Sequence, residues 1–235
     1  QWVKSDAPKT PAEQASAMAF IVWRVAHQML KRMRGADFDI DAGTPYFAFM
    51  REVLVFLIAV TDRIAFERLG ADVRQAFTQA LVGHVARTLQ ENEDGLLGVP
   101  PAGAPSHADT FIDLVNEVVG HYAEFGADPA PPVDAQGCFH PDFAFVRYLG
   151  TRLEPTLPEK DRRWVLDQVM AVETPEALGI VQRSMRGLLD PPRLGALGAG
   201  AARAVAAVDL RQPQATAEDG LDITALLACT RVSSM

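Results

Sequence analysis

Cysteine is scarce in this chain: only Cys138 and Cys229 occur in 235 residues. Two cysteines make no disulfide framework, and their scarcity fits a reducing compartment. The chain begins at Gln1 rather than Met, so the expectation of a cytoplasmic protein rests on cysteine content alone. Positive charge is also in short supply, with 22 Lys and Arg against 30 Asp and Glu and a net charge of −8. That balance speaks against nucleic acid, whose binders need a Lys/Arg surplus on at least one face. The densest basic stretch, Arg24 to Arg34 with Lys31 and Arg32 between, also carries the apolar positions of an amphipathic helix. It is expected to be a solvated face rather than a phosphate or anionic-lipid contact.

Catalytic signatures are missing too. The sequence has no Gly-x-Ser-x-Gly elbow, no phosphate loop and no dinucleotide fingerprint. Gly195, Gly198 and Gly200 lie in an Ala-rich segment with no strand before them. No segment alternates apolar and polar residues with β-branched enrichment, so strands are not expected. Asp37, Asp39 and Asp41 alternate as in a calcium loop, but the Gly and the distal Glu that such a loop requires are not in place. Cys138 and His140 have no second Cys/His pair nearby to complete a zinc site.

A long transmembrane run is lacking as well. The apolar stretch Val53 to Thr61 is bracketed by Arg51-Glu52 and Asp62-Arg63, and a span needs about 20 predominantly apolar residues. No membrane span is expected. The stretch is instead the middle of a helix from about Thr44 to Leu69, with Thr44-Pro45 as cap and first turn and Gly70 as the stop. A helix apolar on every face belongs inside a bundle of other helices. Arg51 and Asp62 return to one stripe of it, and Glu52 and Arg63 to the next. Each pair is separated by roughly 16 Å along the axis. These four charges must find partners on neighbouring helices, because unpaired buried charge is costly. They are expected to anchor the fold rather than perform chemistry.

Six more helices follow from the 3.6-residue periodicity and its breakers. They cover about Pro11–Arg34, Asp72–Asn92, Ser106–Gly126, Pro141–Leu157, Pro158–Val172 and, with Thr174-Pro175-Glu176 as a new start, 174–189. Lys160-Asp161-Arg162-Arg163 reads as a solvated first turn. The expected fold is all-α: a single helical bundle of about six or seven helices around a buried central helix, spanning 11–189. Residues 190–235 form an irregular tail, with an Ala/Gly-rich segment after Pro191-Pro192, a polar linker, and a short apolar patch. That patch, Leu221, Ile223, Leu226 and Leu227, is a candidate docking element.

Two local sequences echo each other, Gly83-His84 and Gly120-His121, each in mid-helix. Glycine there costs about 1 kcal/mol relative to alanine, and close helix packing is the simplest reason to tolerate it. A competing explanation is a metal site from His84, Glu117 and His121, with Glu117 and His121 at i and i+4 on one face. Bis-imidazole haem ligation by the two histidines is a further alternative. The pattern is incomplete, since Ala80 stands where a second copy of Glu117 would be. The expected function is therefore a non-enzymatic accessory or interaction module, with a protein partner or a second copy as its contact and no resident cofactor. A helical metal- or haem-binding protein using His84, Glu117 and His121 is the alternative.

Overall fold

The structure, a computed structural model, describes residues 9–125 and 139–190. They form seven α-helices, a short 3-10 turn and a π-helical turn, and no strand occurs among them. Helix α1 (Pro11–Gly35) starts with a capping box. Thr10 Oγ1 accepts from the Glu13 amide and the Glu13 carboxylate accepts from the Thr10 amide. Its stripe of Ala15, Met18, Val22, Ala26, Met29 and Met33 is buried.

Helix α2 (Thr44–Arg68) is the centre of the bundle, and every residue from Val53 to Asp62 is buried. Helices α1, α3 (Ala71–Leu97), α4 (His107–Glu124), α5 (Phe143–Leu153) and α7 (Thr174–Leu189) all pack against it. Each large apolar side chain so enclosed contributes about 1.5–3 kcal/mol, which makes α2 the main source of the core. The cross-helix bonds give the directions. Asp62 meets Arg74 while Arg51 meets Glu93, so α2 and α3 run antiparallel. No helix among the described residues is long and apolar enough to cross a membrane.

Several local details differ from the sequence expectation. Thr44 does not cap α2; Gly43 does, at φ 94°, a left-handed conformation that glycine reaches without strain. Gly70 is the N-cap of α3 rather than a left-handed stop, leaving only Leu69 and Gly70 between two long helices. Helix α3 runs past Gly95 to Leu97, because a single glycine costs a helix only about 1 kcal/mol and does not by itself end it. Its end is set by Gly98, at φ 91°.

The expected break before Thr174 does not occur. Helix α6 (Glu159–Gln168) passes through the π-helical turn Val169–Glu173 directly into α7. Pro175 explains the wide turn: it lacks an N–H, and its ring would crowd the carbonyl one turn back. Thr174 is buried, its hydroxyl has no hydrogen-bond partner among the described residues, and it caps nothing. Glu173, in the π turn, is fully buried and is held by Arg32 of α1 at 2.8 Å and Gln168 at 3.0 Å.

The start of α6 is no mere solvated turn. Asp161 is buried and accepts the Asp39 amide at 2.8 Å, while Lys160 pairs with the Asp39 carboxylate at 2.9 Å. The loop joining α1 and α2 is thereby tied to α6, and its Phe38 and Ile40 plug the core. The candidate docking residues Leu221, Ile223, Leu226 and Leu227, the rest of the tail from residue 191, and both cysteines lie outside the described residues.

Candidate functional site

The four charges that bracket the apolar centre of α2 each reach another helix. Arg51 Nη2 donates to Glu93 of α3 at 2.9 Å. The Glu52 carboxylate accepts both arms of Arg152 on α5, at 2.8 and 2.7 Å, a bidentate pair. Asp62 accepts Arg74 Nε at 2.9 Å and the Thr78 hydroxyl at 2.8 Å, and its second oxygen is bonded by Arg74 Nη2. Arg63 donates to the Ala123 carbonyl at 2.9 Å, in the last turn of α4, where helix carbonyls lack internal partners and the dipole favours a cation.

The glycines of the Gly-His steps are not close-packing points. A side chain at Gly83 or Gly120 would meet nothing within 4 Å. Close approach occurs instead at Gly150, where an added Cβ would lie 2.7 Å from a Leu166 methyl. Nor are the candidate metal ligands gathered. Among the described residues no three His, Cys, Asp or Glu side chains form a group able to hold a metal ion.

Glu117 and His121 are exposed on α4 and turn toward α5: the His121 ring lies 5.9 Å from that of Tyr148, and Glu117 bears electrostatically on Tyr148 and Arg152. His84 sits half-buried beside Arg87, where burial first and that neighbouring cation second hold its imidazole below the usual range. A neighbouring cation is a poor companion for a metal ion.

Between Glu117 and Glu52 lies an aromatic junction. Tyr122 packs against Phe145 at 4.7 Å, Tyr148 at 5.0 Å and Phe56 at 6.0 Å. Its hydroxyl is buried with no hydrogen-bond partner among the described residues. Burial, and then the negative charge of Glu52, push it well above its ordinary value, so it stays a neutral phenol. That junction joins α2, α4 and α5 through their aromatic rings.

One outward-facing feature lies at the C-terminal end of α3. From Gly95 to Pro105 no side chain is polar. Leu96, Leu97 and Val99 are 58, 42 and 77% exposed. The segment is nonetheless fixed. Gly98 and Gly103 turn the chain at φ 91° and 90°, Pro100 and Pro101 restrict it, and the Ala104 amide donates to the Pro101 carbonyl at 3.0 Å.

Beneath it lies an ionic base. His107, the first residue of α4, sets Nδ1 3.2 Å from Glu93 and Nε2 3.2 Å from the Gly98 carbonyl, and Glu93 in turn holds Arg51. The signal for this surface in the sequence is the run of eleven residues without a polar side chain. Nothing local in the sequence distinguishes Glu93, Arg74 and Arg152 from solvated charges.

No family model, no curated protein and no solved structure matches the chain.

Proposed function

We propose that the chain works as a non-enzymatic interaction module that meets a protein partner through the apolar loop Gly95–Pro105. One observation carries this: an exposed run without a polar side chain, held in shape by two glycine turns, a Pro-Pro step and the Arg51–Glu93–His107 base. Exposed apolar side chains scattered singly are ordinary, whereas a contiguous patch marks a contact surface. Preorganisation lowers the ordering cost of binding. The interior supports the same view, since the four charges that bracket the apolar centre of α2 are engaged in tying helices together.

The test is a photo-cross-linking amino acid introduced at residue 99 of the full chain in its native host, with residue 91 as an exposed control. Discrete adducts are expected from residue 99 and not from residue 91. The Leu96→Asp, Val99→Asp double variant should lose them while its thermal midpoint stays unchanged. Equal adducts from both positions, or adducts that survive the double variant, would sink the proposal. Adduct masses separate a second copy of the chain from a different partner.

A further inference from the structure

A second feature lies away from that loop, at the corner between α1 and α2. His27, Gln28, Leu30, Lys31 and Arg34 of α1, with Tyr46 of α2, line an open cleft of about 440 Å³. Small-molecule sites occupy about 300–1,000 Å³, so the cleft is large enough for a modest ligand. His27, Lys31 and Arg34 fall at i, i+4 and i+7 and share one stripe of α1. The lining contains two cations and no carboxylate, in a chain of net charge −8.

Each polar group has a definite state. Arg34 spends Nε and Nη2 on the Ile40 carbonyl, at 2.9 and 2.6 Å, and its guanidinium stacks 5.9 Å from the centre of the Tyr46 ring. It lends charge to the cleft but cannot offer the two-pronged fork that suits a phosphate. Lys31 is exposed and makes no hydrogen bond or ion pair among the described residues.

The Tyr46 hydroxyl lies 2.9 Å from His27 Nε2, and His27 is backed by Trp23 with ring centroids 5.1 Å apart. Burial keeps the His27 imidazole below its usual range and Tyr46 above its own, so both are neutral at pH 7. In the tautomer with hydrogen on Nε2, His27 donates to the phenol oxygen and the phenol hydrogen becomes free to donate into the cleft. The floor is apolar: buried Leu30, the Tyr46 ring and the alkyl stems of Lys31 and Arg34. In the acidic loop beside it, Asp39 pairs with Lys160 of α6 and Asp41 acts on the same lysine.

We propose that this cleft binds a small monocarboxylate with an apolar body, aromatic or short-chain aliphatic. The Lys31 ammonium and the Tyr46 hydroxyl hold the carboxylate, and Leu30 and the Tyr46 ring carry the body. One ammonium and one hydroxyl satisfy a single negative charge; they would leave much of a phosphate dianion unpaired.

Benzoate is the probe, titrated into the isotope-labelled full chain at pH 7 while the Trp23 indole and His27 imidazole signals are followed by NMR. Saturable shifts are expected with a Kd on the order of 1 mM, as suits a small ligand in an open cleft. Lys31→Met, at an exposed position, should weaken benzoate about tenfold, the value of one charge-assisted hydrogen bond. Tyr46→Phe should weaken it by a similar factor. Benzyl alcohol, of the same shape but uncharged, should bind at least about tenfold more weakly for the same reason. The proposal is overturned if benzyl alcohol or inorganic phosphate matches benzoate, if Lys31→Met leaves Kd unchanged, or if no saturable shift appears by about 20 mM.

Discussion

The two ends of the apolar stretch of α2 carry the same residue types in mirrored order, Arg51-Glu52 at one and Asp62-Arg63 at the other, yet they are finished differently. At the Asp62 end the ion pair with Arg74 is enclosed, each side chain only 5% exposed. Both carboxylate oxygens are bonded, and Thr78 supplies a third donor. At the Arg51 end Glu93 is fully buried while Arg51 remains 25% exposed. Glu93 Oε1 and Arg51 Nε there have no hydrogen-bond partner among the described residues.

The first arrangement closes a corner that only Leu69 and Gly70 connect. The second is left partly unsatisfied and supports the exposed apolar loop through His107. Under-satisfied polar groups tend to collect where structure serves something besides stability. The difference thus separates a fully enclosed end from an end that lies beneath an exposed apolar loop.

The largest expected effect is at the enclosed end. Asp62→Asn removes the charge but keeps the shape, and it takes the neutralising carboxylate away from the buried Arg74 guanidinium. Breaking such a pair costs about 3–5 kcal/mol, readable as a lowered urea midpoint at unchanged slope. Glu93→Gln should cost less, about 1–2 kcal/mol, because partly exposed Arg51 can turn to water. The same variant should also release His107 and with it the loop, so amide exchange should quicken over 98–107 but not over 70–80. Equal stability losses at the two ends, or no local change in exchange, would dissolve the distinction. An Asp62→Asn protein that kept its stability and lost a partner would reverse it.

How much of this was legible beforehand depends on range. The helices of the bundle and the central place of α2 follow from local periodicity, and the apolar faces of Val53 to Thr61 could only be interior. Charges flanking that run had to be met by other helices, which is a statement of electrostatics rather than of topology. Their partners could not be read. Glu93 and Arg152 look like solvated charges in sequence, and only the antiparallel packing of α3 and of α5 against α2 brings them into range.

Thr44 and Thr174 misled for a related reason. A Thr-Pro step is a good local start signal, but Gly43 can take the left-handed cap, and a π turn can absorb Pro175 without ending the helix. The cleft at His27 was illegible because Tyr46 lies across a loop from α1. That loop's position is fixed by Asp161, more than a hundred residues later.

Gly83 of α3 offers the smallest and cleanest probe. Arg74 and Thr78 on one side of Gly83 bond the enclosed end of α2, and Glu93 on the other side bonds the end beneath the loop. A methyl at residue 83 would meet nothing within 4 Å beyond the adjoining backbone of its own helix, and the glycine sits in regular helix. Gly83→Ala should therefore stabilise the chain by about 0.5–1 kcal/mol, chiefly by restricting the unfolded backbone.

If the two ends are independent, that gain should add to the Asp62→Asn and Glu93→Gln effects within about 0.5 kcal/mol. If α3 is instead a rod through which they are coupled, stiffening its middle should offset the Glu93→Gln loss more than the Asp62→Asn loss. The double variants, measured in urea, decide between the two. Because the loop end is the less satisfied one, non-additivity confined to the Glu93→Gln background would show that the bundle's stability is transmitted to its exposed surface along this one helix.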